Sequence, residues 1–182
     1  ILMIYIGEYE ILNNNKSTLK DTSIDSANNE YMTESDIEVI NFDEVAKKYK
    51  VLRGITDLPT SNDALFIGEN EIFFIEFKNG QIDANNIRLK ICDSMWMLTD
   101  IIEQNISYMR ENVKYILVYN PQKKQRNIRI SASREDIKRR FKKKGKDNLV
   151  SFGLKRLEKL YINEAFTYTK EDFEEEFVKI YS

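Results

Sequence analysis

A hairpin at the centre of the fold is specified by residues 62–80, which read NDALFIGENEIFFIEFKNG. The run 72–75 is continuously apolar, as expected of a strand that is covered on both faces. A shorter run at 63–67 precedes it, and Gly68-Glu-Asn70 supplies the residues of a tight connection. This stretch therefore predicts an antiparallel hairpin whose second strand lies inside a sheet.

The segments around this hairpin alternate between helical and extended patterns. Six core elements are predicted over about residues 42–120, in the order helix, three strands, helix, strand: 43–49, 51–56, 63–67, 71–77, a helix from 85 to 106, and 115–119. In the second helix, apolar residues recur on one face from Ile87 to Ile106. The order predicts one mixed α/β domain, in which helices flank a central sheet.

The predicted additions lie on both sides of this core. Residues 13–36 are polar, so we expect a long mobile loop there and an isolated strand over 1–12. Residues 121–182 are expected to add a basic helix, a strand and a helix. A capping box at Ser133-Arg-Glu-Asp136 opens the basic helix, and further elements are predicted at 154–160, at 165–168 and from Lys170.

The residue inventory excludes several kinds of chemistry. The 182 residues include no His and one Cys, Cys92. A Ser-His-Asp triad, a Cys-His pair and a histidine general base are therefore excluded, as are a Cys/His zinc site and an internal disulfide. Any catalysis must use carboxylates, lysine, hydroxyls or a metal bound through oxygen.

The charge is strongly segregated, although 28 basic residues nearly balance 30 acidic ones. Residues 122–146 contain twelve Lys or Arg and two acids, whereas residues 1–50 contain ten acids and five bases. This pattern favours a basic face for a polyanion; a solvated lysine-rich helix is the alternative. The predicted substrate-binding residues of this segment are Lys138, Arg139, Arg140, Lys142, Lys143 and Lys144.

Three charged residues of the hairpin form the candidate site. Glu76 and Lys78 are two residues apart on a predicted strand, so both project from one face. Their neighbours are apolar, and charges in such a strand are costly unless they are paired or bound. Asp63 begins the preceding strand, and the short turn brings it beside Glu76. Two carboxylates and one ammonium are thus expected to meet.

This combination suits phosphodiester hydrolysis. Mg²⁺ binds through one or two carboxylates and takes its remaining ligands from water and substrate phosphate. The ion offsets the charge that develops during hydrolysis, and a nearby lysine orients the attacking water or stabilises the transition state. The alternative is a simple strand-end salt bridge between Glu76 and Lys78 or Asp63.

The spacing of Asp63 and Glu76-Phe-Lys78 resembles the active-site signature of the PD-(D/E)XK nuclease superfamily, which has the restriction-endonuclease-like fold. The order of elements over residues 42–120 is also similar to the core of that superfamily. The resemblance implies Asp63 and Glu76 as ligands of Mg²⁺ or Mn²⁺, and Lys78 as the catalytic lysine.

The resemblance implies two further residues and leaves one assignment open. Many members add a glutamate from the helix before the sheet, which corresponds to Glu44, and line the DNA groove with the following helix, which carries Lys90. The superfamily ideally has proline before the first aspartate, whereas this chain has Asn62. Asp57 therefore competes with Asp63 for the role of first metal ligand.

The expected function is that of a metal-dependent nuclease that acts on DNA more readily than on RNA. An inert nucleic-acid-binding module of the same fold is the alternative. Roles as a toxin with an immunity or inhibitor protein, in phage defence and in repair all stay open. No apolar run is long enough to span a membrane. Because the chain begins with Ile1, we expect a fragment or a processed chain. The expected site of action is the cytoplasm, and delivery within a larger secreted protein stays open.

Overall fold

The structure is a computed structural model that describes residues 6–122 and 152–182. Its strands are β1 Lys16–Thr18, β2 Ile24–Asp25, β3 Glu30–Tyr31, β4 Glu38–Asn41, β5 Ala64–Ile67, β6 Ile72–Lys78, β7 Val113–Tyr119 and β8 Ala165–Thr169. Its α-helices are α1 Glu10–Asn13, α2 Leu19–Thr22, α3 Phe42–Arg53, α4 Ala84–Ile101, α5 Ile106–Asn112, α6 Lys170–Phe173 and α7 Lys179–Tyr181. Short 3₁₀ turns form at Ile6–Glu8 and Leu154–Leu157, and a π-helical segment, Glu174–Val178, joins α6 to α7.

Six strands form a mixed central sheet in the order β1-β4-β5-β6-β7-β8. The pairs from β1 to β6 are antiparallel, whereas β6, β7 and β8 run parallel. The parallel step from β6 to β7 needs a crossover, which α4 and α5 supply. The predicted α/β class with a mixed sheet flanked by helices is therefore confirmed.

The central hairpin forms as predicted. β5 pairs antiparallel with β6, with Ala64 opposite Ile75 and Ile67 opposite Ile72. The turn is closed by the Gly68 N–H, which donates to the Glu71 carbonyl at 2.8 Å. β6 has a paired strand on each side, which explains why its sequence is almost continuously apolar.

Helices cover both faces of the sheet, and the alternation of side chains along β6 contributes to both cores. Phe74 faces α3 and meets the Phe42 ring edge-on at 4.8 Å between centroids. Phe77 faces the opposite side and meets Phe173 of α6 at 5.7 Å. Because Glu76 lies two residues after Phe74, its carboxylate is on the face that α3 and α4 cover.

The helix predicted after the hairpin forms as α4, but it ends at Ile101 rather than reaching Ile106, which begins α5. Its buried side chains include Ile87, Ile91, Met95 and Leu98, which lie on the face predicted from their spacing. Asp83 caps its N-terminus by accepting hydrogen bonds from the first backbone amides. The burial of this face fixes the direction of every other side chain on α4.

The strand predicted at 51–56 is wrong. α3 continues through Arg53 and ends at Gly54, whose φ of 64° is the left-handed conformation that terminates many helices. The third antiparallel strand is β4, which comes before α3. The core order is therefore strand, helix, hairpin, helices and strand.

The N-terminal expectations also need correction. Residues 6–12 are helical turns rather than a strand, and the predicted loop 13–36 contains β1, α2, β2 and β3. Polar side chains stabilise these short elements through local bonds to the backbone. Thr18 caps α2 by accepting from the Asp21 amide, and the buried Ser23 hydroxyl accepts from the Met32 amide.

The C-terminal predictions are confirmed in part. β8 forms at Ala165–Thr169, and a capping box between Thr169 and Asp172 opens α6. The helix predicted at 154–160 is only a 3₁₀ turn. The predicted basic helix lies outside the described residues, together with all six of its candidate substrate-binding residues: Lys138, Arg139, Arg140, Lys142, Lys143 and Lys144.

The helices within residues 6–122 and 152–182 have at most 18 residues, the length of α4. Among them, none has both the length and the apolar character needed to cross a bilayer.

Two leucines test the packing of the sheet against the helices. Leu65 on β5 is completely buried, whereas Leu52 on α3 is 71% exposed. We expect Leu65→Ala to lower the free energy of unfolding by about 2–5 kcal/mol, because it removes buried atoms and leaves a cavity. Leu52→Ala should change it by less than about 0.5 kcal/mol. Urea unfolding followed by circular dichroism measures both, and equal losses would contradict this packing.

Candidate active site

Four charged side chains converge at the end of the central hairpin. Lys90 Nζ lies 2.6 Å from Glu76 Oε1 and 3.3 Å from Asp63 Oδ1. Lys78 Nζ lies 2.6 Å from the same Glu76 oxygen. Asp63, Glu76, Lys78 and Lys90 are called the charged cluster below.

The fold brings these residues together from three segments. Glu76 and Lys78 share one face of β6, and Asp63 directly precedes β5, next to that part of the hairpin. The Phe77 N–H donates to Asp63 Oδ2 at 2.7 Å, which fixes the carboxylate against β6. Lys90 lies on α4, which packs over this face of the sheet.

The charged cluster is largely buried. Glu76 is fully inaccessible, while the side chains of Asp63 and Lys90 are 17% and 16% exposed and that of Lys78 is 26% exposed. Buried charges need close partners of opposite sign, because each loses its hydration. Two carboxylates and two ammoniums satisfy this requirement, and the cluster is formally neutral.

The surroundings perturb the acid–base behaviour of the cluster. Burial and the negative charge of Glu76 raise the pKa of Asp63 from 3.8 to about 7. Burial alone would lower the pKa of Lys90, but the carboxylates of Asp63 and Glu76 more than offset it and raise that pKa. Lys90 therefore stays charged, and Asp63 titrates near neutral pH.

Several polar atoms around the cluster lack hydrogen-bond partners within residues 6–122 and 152–182. They are Glu76 Oε2, the Tyr115 hydroxyl and both polar atoms of the Asn62 side chain, all of which are buried. Burial and the charges of Glu76 and Asp63 raise the pKa of Tyr115, so its hydroxyl stays protonated. Unpartnered buried polar atoms are costly, so a bound ion or water here would stabilise the site.

The structure does not bring Glu44 into the charged cluster. Its carboxylate pairs with Lys47 at 2.6 Å on the exposed side of α3. The preceding residue, Asp43, accepts from the Ser61 hydroxyl at 2.5 Å, and its charge contributes to the raised pKa of Lys90. Asn41 caps α3 and so sets its helical phase, but which of the two acids faces the cluster depends on how α3 packs on the sheet.

Two other predicted residues are now placed. Lys90, which was expected to line a substrate groove, contacts both carboxylates of the cluster. Asp57, the competitor of Asp63, is exposed in the connection between α3 and β5. The structure therefore brings Asp63 rather than Asp57 to Glu76.

A cavity of about 350 Å³ adjoins the cluster and includes residues that the sequence reasoning missed. Asp63 and Lys78 line one side of it, and the segment around β2 lines the other. Asn79 links the two sides, since its amide donates to Asp25 at 2.8 Å and to Glu30 at 2.9 Å. The predicted loop therefore forms one wall of the candidate site.

A larger cavity of about 830 Å³ lies along α4, where Arg53, Trp96 and Asp100 contribute to its lining. No member of the charged cluster lines it. We assign the candidate site to the smaller cavity, because Lys78 and Asp63, whose pKa is raised, both line it.

Two carboxylates of the charged cluster, Asp63 and Glu76, are available to a metal ion. Within the described segments, no three His, Cys, Asp or Glu side chains form a group able to hold a metal ion. Asp63 and Glu76 nevertheless supply the one or two carboxylates that Mg²⁺ commonly uses, and Glu76 Oε2 has no partner in the described chain. The oxygens present fit Mg²⁺ or Mn²⁺ that keeps most of its water.

Comparisons with protein-family models, with curated protein sequences and with solved structures found no match to this chain.

Asp63 should make the stability of the protein depend on pH. Its pKa is higher in the folded state, so the folded protein keeps a proton between about pH 4 and pH 7 that the unfolded chain loses. The free energy of unfolding should therefore fall as pH rises through this window, by on the order of 2–4 kcal/mol from this group. Asp63→Asn should remove that fall.

Urea unfolding in EDTA between pH 4 and pH 8 measures the effect. The matched control is Asp57→Asn, which changes an exposed aspartate and should retain the wild-type pH dependence. Parallel curves for wild type and Asp63→Asn would show that Asp63 does not titrate as the structure implies.

Proposed function

We propose that the protein is a metal-dependent nuclease with the restriction-endonuclease-like fold, acting on DNA. The convergence of Asp63, Glu76 and Lys78 at the end of a buried hairpin carries this proposal. These are the residue types that the sequence motif implied, and residues from two strands and a helix meet within 3.3 Å. The alternative, a strand-end salt bridge, does not explain why Glu76 Oε2 is buried without a partner in the described chain.

The topology supports the fold assignment. Three antiparallel strands, β4, β5 and β6, are followed by a helical crossover and a parallel strand, β7. Asp63 directly precedes β5, and Glu76 and Lys78 lie near the end of β6 that leads into the crossover, which is where the motif places them. The proposal therefore uses the arrangement of the elements as well as the residue types.

The carboxylates and the lysine of the proposed active site have different roles in the reaction. Asp63 and Glu76 would hold Mg²⁺ or Mn²⁺, which supplies positive charge against the charge that develops on the phosphate. Lys78 lines the adjoining cavity and is the most exposed of the four cluster residues. Its ammonium is placed to orient the attacking water or to donate to a phosphate oxygen.

The substrate would reach the cluster through the cavity beside Lys78. The wall of that cavity includes acidic Asp25, so the attraction for a polyanion has to come from elsewhere. The basic segment 122–146 offers that attraction, because lysine and arginine contacts to phosphates position DNA without reading its sequence.

A second candidate is an inert nucleic-acid-binding module of the same fold. The observation that favours it is the neutrality of the charged cluster, in which two ammoniums already compensate two carboxylates. Such a protein would bind DNA through its basic segment and leave the phosphodiester bonds intact.

Plasmid nicking in Mg²⁺ tests the nuclease proposal. We expect Glu76→Gln and Lys78→Ala to lower the nicking rate by about 100-fold or more, because each removes charge that acts on the transition state. The matched controls are Glu71→Gln and Lys114→Ala. These residues form a half-buried ion pair of 2.5 Å elsewhere in the protein, with Lys114 21% exposed.

The controls should nick at the wild-type rate. Retention of nicking by both Glu76→Gln and Lys78→Ala would refute the assignment of the site. Absence of nicking by the wild type, combined with DNA binding, would favour the inert module.

Salt dependence tests the role of the basic segment. Replacing Lys142, Lys143 and Lys144 by Gln should weaken DNA binding and reduce the slope of log K against log salt by about 2–3, if each lysine contacts one phosphate. Fluorescence anisotropy with a labelled duplex measures the slope. The control replaces Lys155, Lys159 and Lys179 by Gln, which lowers the net charge by the same three units as the test variant. An equal effect there would refute a specific role of the segment.

A further inference from the structure

Lys90 takes the place in the charged cluster that a bridging cation would need. Its ammonium contacts Glu76 Oε1 at 2.6 Å and Asp63 Oδ1 at 3.3 Å. Lys78, by contrast, forms an ion pair with only one of the two carboxylates, that of Glu76. A divalent ion held by Asp63 and Glu76 would need the negative charge of the two carboxylates that Lys90 already compensates, so Lys90 and the ion would compete for them.

The charge balance gives the same result independently. The formal charges of the four side chains of the cluster sum to zero, and these side chains are largely removed from water. Adding a divalent ion without moving either lysine would leave a charge of +2 in a buried site, which is strongly unfavourable. One ammonium must therefore leave the carboxylates when the ion binds.

Lys90 is the lysine better suited to leave. It reaches the carboxylates from α4, across the interface between the helix and the sheet, through a long flexible side chain. Lys78 lies two residues after Glu76 on the same face of β6 and lines the cavity, where its ammonium would meet the substrate phosphate with the metal in place. Lys90, which contacts both carboxylates, thus comes from the helix layer, whereas the carboxylates and Lys78 belong to the hairpin of the sheet.

We propose that Lys90 is a built-in counter-ion, which holds Asp63 and Glu76 in the metal-free protein and withdraws from them when a divalent cation binds. The inference rests on the proposed function for the identity of the cation. Metal binding then competes with an internal ion pair, and Lys90 compensates the charge of the carboxylates when no metal is present.

Calorimetric titration of the full chain with Mn²⁺ tests the competition. Lys90→Gln should bind Mn²⁺ about tenfold or more tightly than the wild type, because the ion no longer displaces an ammonium. The matched control is Lys114→Gln. Lys114 is similarly half-buried and also contacts two carboxylates, Glu71 at 2.5 Å and Glu164 at 3.5 Å. Its replacement should leave the affinity unchanged.

The titration has clear outcomes. Binding by Lys90→Gln alone, with none by the wild type, also supports the proposal, since the lysine then excludes the ion. Equal or weaker affinity of Lys90→Gln, or no binding by either protein, would overturn it.

A second measurement uses the wild type and does not depend on whether the variant folds. Acylation of lysines by an amine-reactive reagent, mapped by mass spectrometry, reports how accessible each ammonium is. Saturation with Mn²⁺ should raise the labelling rate of Lys90 several-fold and leave Lys114 unchanged. Unchanged labelling of Lys90 in the metal-bound protein would overturn the proposal.

The nicking assay separates this inference from the proposed function. If the wild type nicks DNA but Lys90→Gln shows no gain in Mn²⁺ affinity, only the counter-ion role of Lys90 is refuted and the proposed nuclease function stands. A protein that never nicks DNA, yet gains affinity when Lys90 is replaced, supports the counter-ion role and refutes the nuclease.

Discussion

The carboxylate of Glu76, which is fully buried in a central strand, is the constraint on which the arrangement around it depends. A buried carboxylate without compensation costs several kcal/mol, so the fold has to supply positive charge at short range. Lys78 and Lys90 both approach one oxygen of Glu76 at 2.6 Å. This requirement couples the position of α4 to that of β6, because Lys90 reaches the carboxylate only while the apolar face of α4 packs on the sheet. The stability of the helix–sheet interface and the geometry of the site are therefore linked.

Much of the hairpin and of α4 was predictable, because their signals are local. The continuous apolar run of β6, the Gly68 turn and the helical spacing from Ile87 each specify one element within a few residues. Placing Glu76 and Lys78 on one face needed only the two-residue period of a strand. The strand predicted at 51–56 failed because an exposed Val-Leu pair on α3 was interpreted as extended, while Gly54 was the stronger signal that a helix ended there.

The remaining features depend on contacts that no local pattern specifies. The position of Lys90 in the cluster depends on how α4 is placed over the sheet. The segment 13–36 was expected to be a loop because its sequence is polar, yet it forms a cavity wall that Asn79 holds through Asp25 and Glu30. The Asn41 cap sets the phase of α3, but the choice between Asp43 and Glu44 depends on how α3 packs on the sheet. Local polarity indicates neither how such segments pack nor which charged groups they meet.

The neutrality of the charged cluster has a consequence for how ligands would bind. A site that is formally neutral attracts neither a divalent cation nor a phosphate strongly by itself. Once a cation is bound, however, the cluster carries excess positive charge, which the negative charge of a phosphate offsets. Thermodynamic linkage makes this relation reciprocal, so a bound phosphate would strengthen the binding of the cation by the same factor. Under the proposed function, the basic segment 122–146 would bring the polyanion to the protein, and the cluster would respond only when cation and phosphate are present together.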